Sequence, residues 1–309
     1  MNYIVNAISK KIYKFRCDQV LKKVVNVRTF DTEFSNDVIV LSLIGKKVVH
    51  SYLLAIKSFL YWFHDVDVHI LNDGTLDEND KALIERHISN VIFHEYDELD
   101  MRSLPRKNCW ERLVLLLTLA KEKYVIQLDS DIVINGPLVE LKNAIKDESS
   151  FILGDPKWSS PVPVNYISHI ANRWDSSHVQ VQSEQTLSKL PMFKDSSFHY
   201  IRGCAGFTGI PKGDNYLNDL ETFSNQMKSI LGEEVWNQWG SEQVASNVIA
   251  STANGAHVLP WPKYQTHMFP DTSEPLDNSS VVHFMGTCRY RRNAYKKLAN
   301  KVIKQLDLG

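Results

Sequence analysis

From residue 38 onward, short apolar runs alternate with stretches of helical spacing. Val38–Ile44 is an apolar run of strand character, and Val48–Phe63 repeats its apolar positions at helical intervals. Val66–Leu71 reads as a second strand, ending at the turn signal Asn72-Asp73-Gly74. Asp77–Ile88 predicts a helix, with Asp77 as its cap and Asp80 in its first turn. Val91–His94 is a third strand, Trp110–Glu122 a leucine-rich helix, and Tyr124–Leu128 a fourth strand. This alternation predicts an α/β fold with a mainly parallel central sheet flanked by helices. In such sheets, ligands bind outside the carboxyl ends of the strands.

The second half is less regular. Phe151–Gly154 and Val281–Phe284 read as short strands, and Cys204–Ile210 as a glycine-punctuated one. Tyr216–Leu231 and Ser241–Ala250 have helical periodicity. Residues 155–200 are rich in Ser, Pro, His and Trp with weak periodicity, the pattern of a long functional insertion. At the two ends the chain is basic and amphipathic. Ile4, Ile8, Ile12 and Phe15 share one helical face among Lys and Arg residues, and Asn293–Leu306 turns Leu298, Val302, Ile303 and Leu306 inward. The expected organisation is an N-terminal helical appendage (1–36), a central domain (37–292) divided near 155, and a C-terminal basic helix (293–309). The N-terminal pattern suits packing on its own domain, or contact with a membrane surface or a partner protein.

Composition narrows the function. The 309 residues are 43% apolar and carry a formal net charge of −1. No global basic field favours nucleic acid, and no apolar run is long enough to span a bilayer. The N-terminal residues lack the compact apolar core of a signal peptide. Cys17, Cys109, Cys204 and Cys288 show no metal-type spacing and read as reduced thiols. The expected location is cytoplasmic, with peripheral contact at the inner face of the membrane as an extension of that reading.

The candidate chemistry centres on Asp129-Ser130-Asp131, which follows the fourth strand. Carboxylates at the end of a buried strand are expensive unless they are paired or hold a cation. Their oxygens suit Mg²⁺ or Mn²⁺, ions that also bind phosphate oxygens.

Four segments together resemble metal-dependent nucleotide-sugar glycosyltransferases of the GT-A fold, and most of all the family 8 type. The first is the D-x-D itself. The second is Cys109-Trp110-Glu111-Arg112-Leu113, with Arg112 seventeen residues before Asp129. The third is Arg202-Gly203-Cys204-Ala205-Gly206-Phe207 with the later Gly240-Ser241-Glu242-Gln243. The fourth is His283-Phe284-Met285-Gly286-Thr287-Cys288-Arg289. The chain departs from the family in three places: Cys204 stands for Asn, Glu242 for Asp and Arg289 for Lys.

The resemblance implies a GT-A (nucleotide-diphospho-sugar transferase) fold and transfer of a sugar from a UDP-sugar to a glycan or glycolipid hydroxyl, with retention. It implies Mn²⁺ or Mg²⁺ held by Asp129, Asp131 and His283. Donor contacts would come from Ser42, Leu43, Asp73, Arg112, Ser130, Ala205, Gly206, Gly286 and Arg289. Glu242 and Gln243 would take the catalytic positions, Gln243 behind the anomeric carbon. Inversion with Glu242 as general base is the alternative, and a non-catalytic sugar-nucleotide-binding protein is another. Asp129-Ser130-Asp131-Ile132-Val133 also fits the haloacid-dehalogenase phosphatase pattern, but three strands precede it where that family has none. A nucleotidyltransferase would want more glycine than Ser42-Leu43-Ile44-Gly45-Lys46-Lys47 offers.

Overall fold

The computed structural model of the chain describes residues 2–32, 34–35, 37–194, 197–268 and 275–308, with side chains from residue 11 onward and excepting Thr287. The positions Ile4 and Ile8 on the N-terminal helical face lie outside the described side chains. The fold is mixed α/β with mostly parallel strand pairing. By its contacts the chain divides into two compact units, one of residues 1–95, 128–139 and 260–309, the other of residues 96–127 and 140–259.

In the first unit, the strand Asp67–Asn72 pairs in parallel with Val38–Ile44 on one side and Val91–Glu95 on the other. All six residues of Asp67–Asn72 are buried, and its polar members are paired: Asp67 accepts from Ser35 N–H at 2.7 Å, His69 Nδ1 lies 2.9 Å from His94 Nε2, and Asn72 Nδ2 donates to Glu95 at 2.8 Å. A smaller group sets Val281–His283 between Tyr264–Thr266 (parallel) and Ile132–Ile134 (antiparallel). Of these three, only Val281–His283 was readable as a strand. The helix Val49–Trp62 is buried over most of its length. The cap expected at Asp77 forms, and it does so as a capping box, Asp77 accepting from the backbone of Asn79 and Asp80 while Asp80 accepts from Asp77 N–H. The terminal helices are Asn2–Leu21 and Ala294–Leu308. Leu298, Val302, Ile303 and Leu306 are all buried, whereas Ile12 and Phe15 stay exposed at 45% and 64%.

In the second unit, Phe151–Leu153 pairs in parallel with His257–Leu259 and antiparallel with Cys204–Ile210. The stretch 155–200 contains two helices, Val164–Ala171 and Val179–Thr186, and a two-residue strand pair joining Val162–Pro163 to His199–Tyr200. None of the four cysteines is in a disulfide.

One buried cation ties the N-terminal segment down. Lys57 Nζ donates to the carbonyls of Val24 and Val27 at 3.2 Å and of Arg28 at 3.0 Å, and lies 3.0 Å from His87 Nδ1. Burial lowers the Lys57 ammonium to about 8. Burial, then the Lys57 charge, lowers His87 to about 4, so its Nδ1 is an acceptor at neutral pH. An unfolded imidazole titrates near 6.5. Because the folded value is the lower one, this stability is complete above 6.5 and is lost as pH falls toward 4. The expected loss is up to about 3 kcal/mol. Urea midpoints across that range check it: the slope should flatten in His87→Gln, and an equal slope in both proteins would contradict it.

Candidate functional site

Backbone register assembles the first cluster. Asp129-Ser130-Asp131 turns tightly, with Ile132 N–H donating to the Asp129 carbonyl at 3.2 Å. The antiparallel pairing sets His283 opposite Ile132, and Phe284 N–H donates to the Asp131 carbonyl at 2.9 Å. The imidazole is thereby delivered to both carboxylates. His283 Nε2 lies 3.1 Å from Asp131 Oδ1 and 3.9 Å from Asp129 Oδ2. Arg289 donates through Nη2 to the other Asp131 oxygen and through Nε to the Phe284 carbonyl at 2.8 Å. Gly286 has φ +60°, a backbone angle that glycine adopts without strain, in the turn leading to Arg289.

Asp131 and His283 are buried, and Asp129 is half-buried. Burial alone would raise the Asp131 carboxyl. The charge and hydrogen bond of His283, then the Arg289 guanidinium, outweigh burial and hold it below its ordinary range. Asp131 is therefore an anion at neutral pH.

The donor set fits a hard divalent cation. One ligand atom from each of Asp129, Asp131 and His283 lies within 4.8 Å of the others. Two cis ligands of an octahedral ion sit about 3 Å apart, close to the 3.1 Å between Asp131 and His283. Two carboxylates and an imidazole suit Mn²⁺ or Mg²⁺ better than a thiolate-seeking metal. Among the described residues this is the cluster of His, Cys, Asp and Glu side chains with metal-ligand geometry.

Two other predicted donor residues of this unit, Ser42 and Asp73, have visible protein partners. Ser42 is buried, and its hydroxyl donates to the carbonyl of Leu128, one residue before Asp129, at 2.6 Å. Leu43 and Ser130 are half-buried. Asp73 is exposed; its Oδ1 accepts from Thr75 N–H at 3.0 Å and from the Thr75 hydroxyl at 2.6 Å, forming the side-chain-closed turn that Asp-Gly sequences favour.

The second cluster lies where two helices begin. Trp110–Leu119 and Ser241–Thr252 meet through their first turns. Trp110 Nε1 donates to Ser241 Oγ at 3.0 Å, and Arg112 Nη2 to Glu242 Oε1 at 3.1 Å. Both partners of the ion pair are 7% exposed, and Ser246 Oγ adds a donor to Glu242 at 2.9 Å. Three consecutive residues before Arg112's helix, Lys107, Asn108 and Cys109, have positive φ (72°, 53° and 71°). Side chains rarely adopt that region, and such backbone collects at functional sites. Glu111 holds the turn, accepting from Lys107 N–H at 2.8 and 3.0 Å and from the Tyr96 hydroxyl at 2.5 Å.

Gln243 is engaged at both ends of its amide. Oε1 accepts from Ala205 N–H at 3.0 Å, and Nε2 donates to the Gly203 carbonyl at 2.8 Å and to Asn247 Oδ1 at 3.0 Å. It thereby fixes the start of the strand that carries Ala205 and Gly206, both buried. Gly203 is required there: a Cβ would collide with the Ile152 side chain and the Leu153 carbonyl.

From Gln243 a buried line continues that sequence reasoning missed. Asn247 Nδ2 donates to the Tyr200 hydroxyl at 3.0 Å, Tyr200 donates to Glu184 Oε1 at 3.2 Å, and Arg202 Nε donates to the same carboxylate at 3.0 and 3.2 Å. Tyr200, Glu184 and Asn247 are fully buried. Their only signal in the sequence is a carboxylate within a weakly periodic stretch, which by itself reads as solvated.

No protein-family model matches this chain, and no curated protein matches it. Solved structures similar to it include the bifunctional glycosyltransferase WbbM, at 12% identity and TM-score 0.49, with 91% of this chain and 53% of that one covered. The chain thus spans about half of WbbM. The galactosyltransferase LgtC, solved with donor and acceptor sugar analogues, has 12% identity and TM-score 0.47, with 85% of this chain and 95% of that one covered. Mouse xyloside xylosyltransferase 1 has 14% identity and TM-score 0.46, with 82% and 99% covered. These neighbours are glycosyltransferases by description, and at this level of likeness they carry no residue role or substrate over to this chain.

Proposed function

We propose that the chain is a metal-dependent GT-A-fold glycosyltransferase that moves a sugar from a nucleotide-diphosphate donor, a UDP-sugar, to a hydroxyl of a glycan or glycolipid. The observation that carries this reading is the Asp129–Asp131–His283 cluster with Arg289 beside it. Carboxylate and imidazole ligands at cation spacing, next to a guanidinium, make a diphosphate site rather than a generic acidic patch.

In this reading Asp129, Asp131 and His283 hold Mn²⁺ or Mg²⁺, with His283 neutral so that Nε2 has a lone pair to give. Bound there, the ion would supply charge neutralisation for the departing diphosphate. Arg289 shares that task, its planar fork matching phosphate oxygens. Arg112 and Glu242 position the donor sugar and the acceptor. Glu242 is pinned by Arg112 and Ser246, which favours a fixed orienting carboxylate over a mobile base. Gln243 orders the backbone of residues 203–205, and Ala205 and Gly206 approach the donor through that strand. The outcome we assign is retention of anomeric configuration. NMR of the product decides it: a β-linked product from an α-linked donor would replace retention by inversion and make Glu242 the base.

Thermal stability with UDP, GDP, CMP and ADP, each with and without Mn²⁺, tests the reading directly. A ligand at about 100 times its Kd stabilises the native state by about 2.7 kcal/mol. A rise with UDP only when Mn²⁺ is present is the expected result. No rise with any nucleotide at millimolar concentration would remove the diphosphate site.

No helix of the described residues is long and apolar enough to cross a membrane. Exposed Ile12 and Phe15 on the basic N-terminal helix favour peripheral contact with anionic lipid. Co-sedimentation with anionic vesicles at low salt is expected, and a chain that stays in the supernatant would rule the contact out.

A further inference from the structure

Resting on the transferase reading, an acceptor subsite can be assigned within the second unit. Arg202 lies against a pair of indoles, its guanidinium carbon 5.4 Å from the Trp158 ring centroid and 5.3 Å from that of Trp174. The two indoles meet edge to face at 6.2 Å. Both rings are half-buried, and the arginine side chain is 22% exposed. Glu184, wholly buried, takes the Nε edge of the guanidinium through both of its oxygens. Among the described residues, the two terminal amino groups of Arg202 donate to no protein acceptor.

This is costly to build for structure alone. A carboxylate is buried, held by Tyr200 and Gln180 as well as by Arg202, and the result is to hold one edge of a guanidinium still while the other edge stays available. Glu184 also cancels the arginine's charge, so the open edge presents fixed hydrogen-bond donors rather than a net cation. Fixed donors in a charge-compensated fork, beside aromatic faces, match a pyranose: its hydroxyls accept in the plane, and its apolar C–H face covers an indole.

A second aromatic surface stands at the other end of the same helix. His178 caps Val179–Thr186 and packs edge-on against Trp239 at 5.7 Å. Trp239 is 67% exposed, an unusual state for the largest side chain, and lies three residues before Glu242. From His178 to Glu184 the helix rises about 9 Å, a length that a disaccharide spans. We propose that Trp158, Arg202 and Trp174 form a saccharide-binding subsite for one ring of the acceptor, with Trp239 stacking on another.

The test uses the full chain labelled with 5-fluorotryptophan. Its seven tryptophans give seven fluorine resonances, assignable by single Trp→Phe changes. The probes are neutral trisaccharides built from glucose, galactose, mannose or N-acetylglucosamine, titrated at millimolar concentration. At least one is expected to move the Trp158, Trp174 and Trp239 signals together. Arg202→Lys, which keeps a cation on Glu184 and guards against a folding failure, should weaken that binding about tenfold. Trp174→Phe is the second variant and should weaken it too.

If no trisaccharide moves the Trp158 and Trp174 signals, or if Arg202→Lys binds as tightly as the parent, the subsite is overturned. Melting with UDP and Mn²⁺, run on the same samples, separates the two claims. Nucleotide stabilisation without saccharide shifts removes the subsite and leaves the transferase reading. Saccharide shifts without nucleotide stabilisation keep the sugar site and remove the transferase.

Discussion

Asp131→Asn is expected to reduce sugar transfer by about 10³-fold, the rate equivalent of losing several kcal/mol of charge stabilisation in the transition state. Asp131 meets His283 on one oxygen and Arg289 on the other. An amide cannot serve both partners and is a poor ligand for a hard cation. Mn²⁺ should therefore lose its effect on nucleotide binding in the same variant, read as the disappearance of the metal-dependent melting shift. EDTA should reproduce the loss in the parent, and added Mn²⁺ should restore the parent but not the variant. Parent-like transfer by Asp131→Asn would end the assignment of Asp131 as a ligand.

The second large effect is on stability. Arg112→Met leaves the Glu242 carboxylate buried beside Ser246 without its cation. Breaking one side of a buried pair costs about 3–5 kcal/mol. Replacing both partners, Arg112→Met with Glu242→Leu, should recover most of that, because two well-packed apolar side chains often match a buried ion pair. Denaturant midpoints of the two singles and the double check this as a cycle. Transfer should stay low in the double variant, since the recovered stability restores neither fork nor carboxylate. A double variant as unstable as the sum of the singles would mean that the two residues do not act as a pair.

The parts of the site legible in the sequence were those encoded locally. Asp129 and Asp131 follow an apolar strand of five buried residues, so period and polarity both marked them. His283 lay in a short apolar strand, six residues before a basic one. The strands Ile132–Ile134 and Tyr264–Thr266 are too short to show a period, and they became visible only through their pairing with Val281–His283. The helix Val179–Thr186 hid for a different reason. Its buried residues include Ser183 and Glu184, so the inward face is not an apolar stripe. Gln243 shows the same effect at a single residue. Its sequence position suggested contact with a ligand, while the backbone groups of Gly203 and Ala205 that occupy its amide are 40 and 38 residues away in the chain and leave no local trace.

Lys57 bears on where this chain can be shortened. Its three carbonyl partners all lie between Val24 and Arg28, before the first strand begins at Val38. A fragment starting at the strand would keep every element of the candidate site, yet it would leave the buried Lys57 ammonium with His87 Nδ1 and without its three carbonyl acceptors. Expression boundaries drawn before Cys17 should give a folded product, because Cys17, Val20, Leu21 and Val24 are buried, and boundaries drawn at residue 37 an aggregating one. The part of the basic N-terminal helix that carries exposed Ile12 and Phe15 can thus be removed as a surface, but Cys17, Val20 and Leu21 at its end belong to the core with the few residues after it.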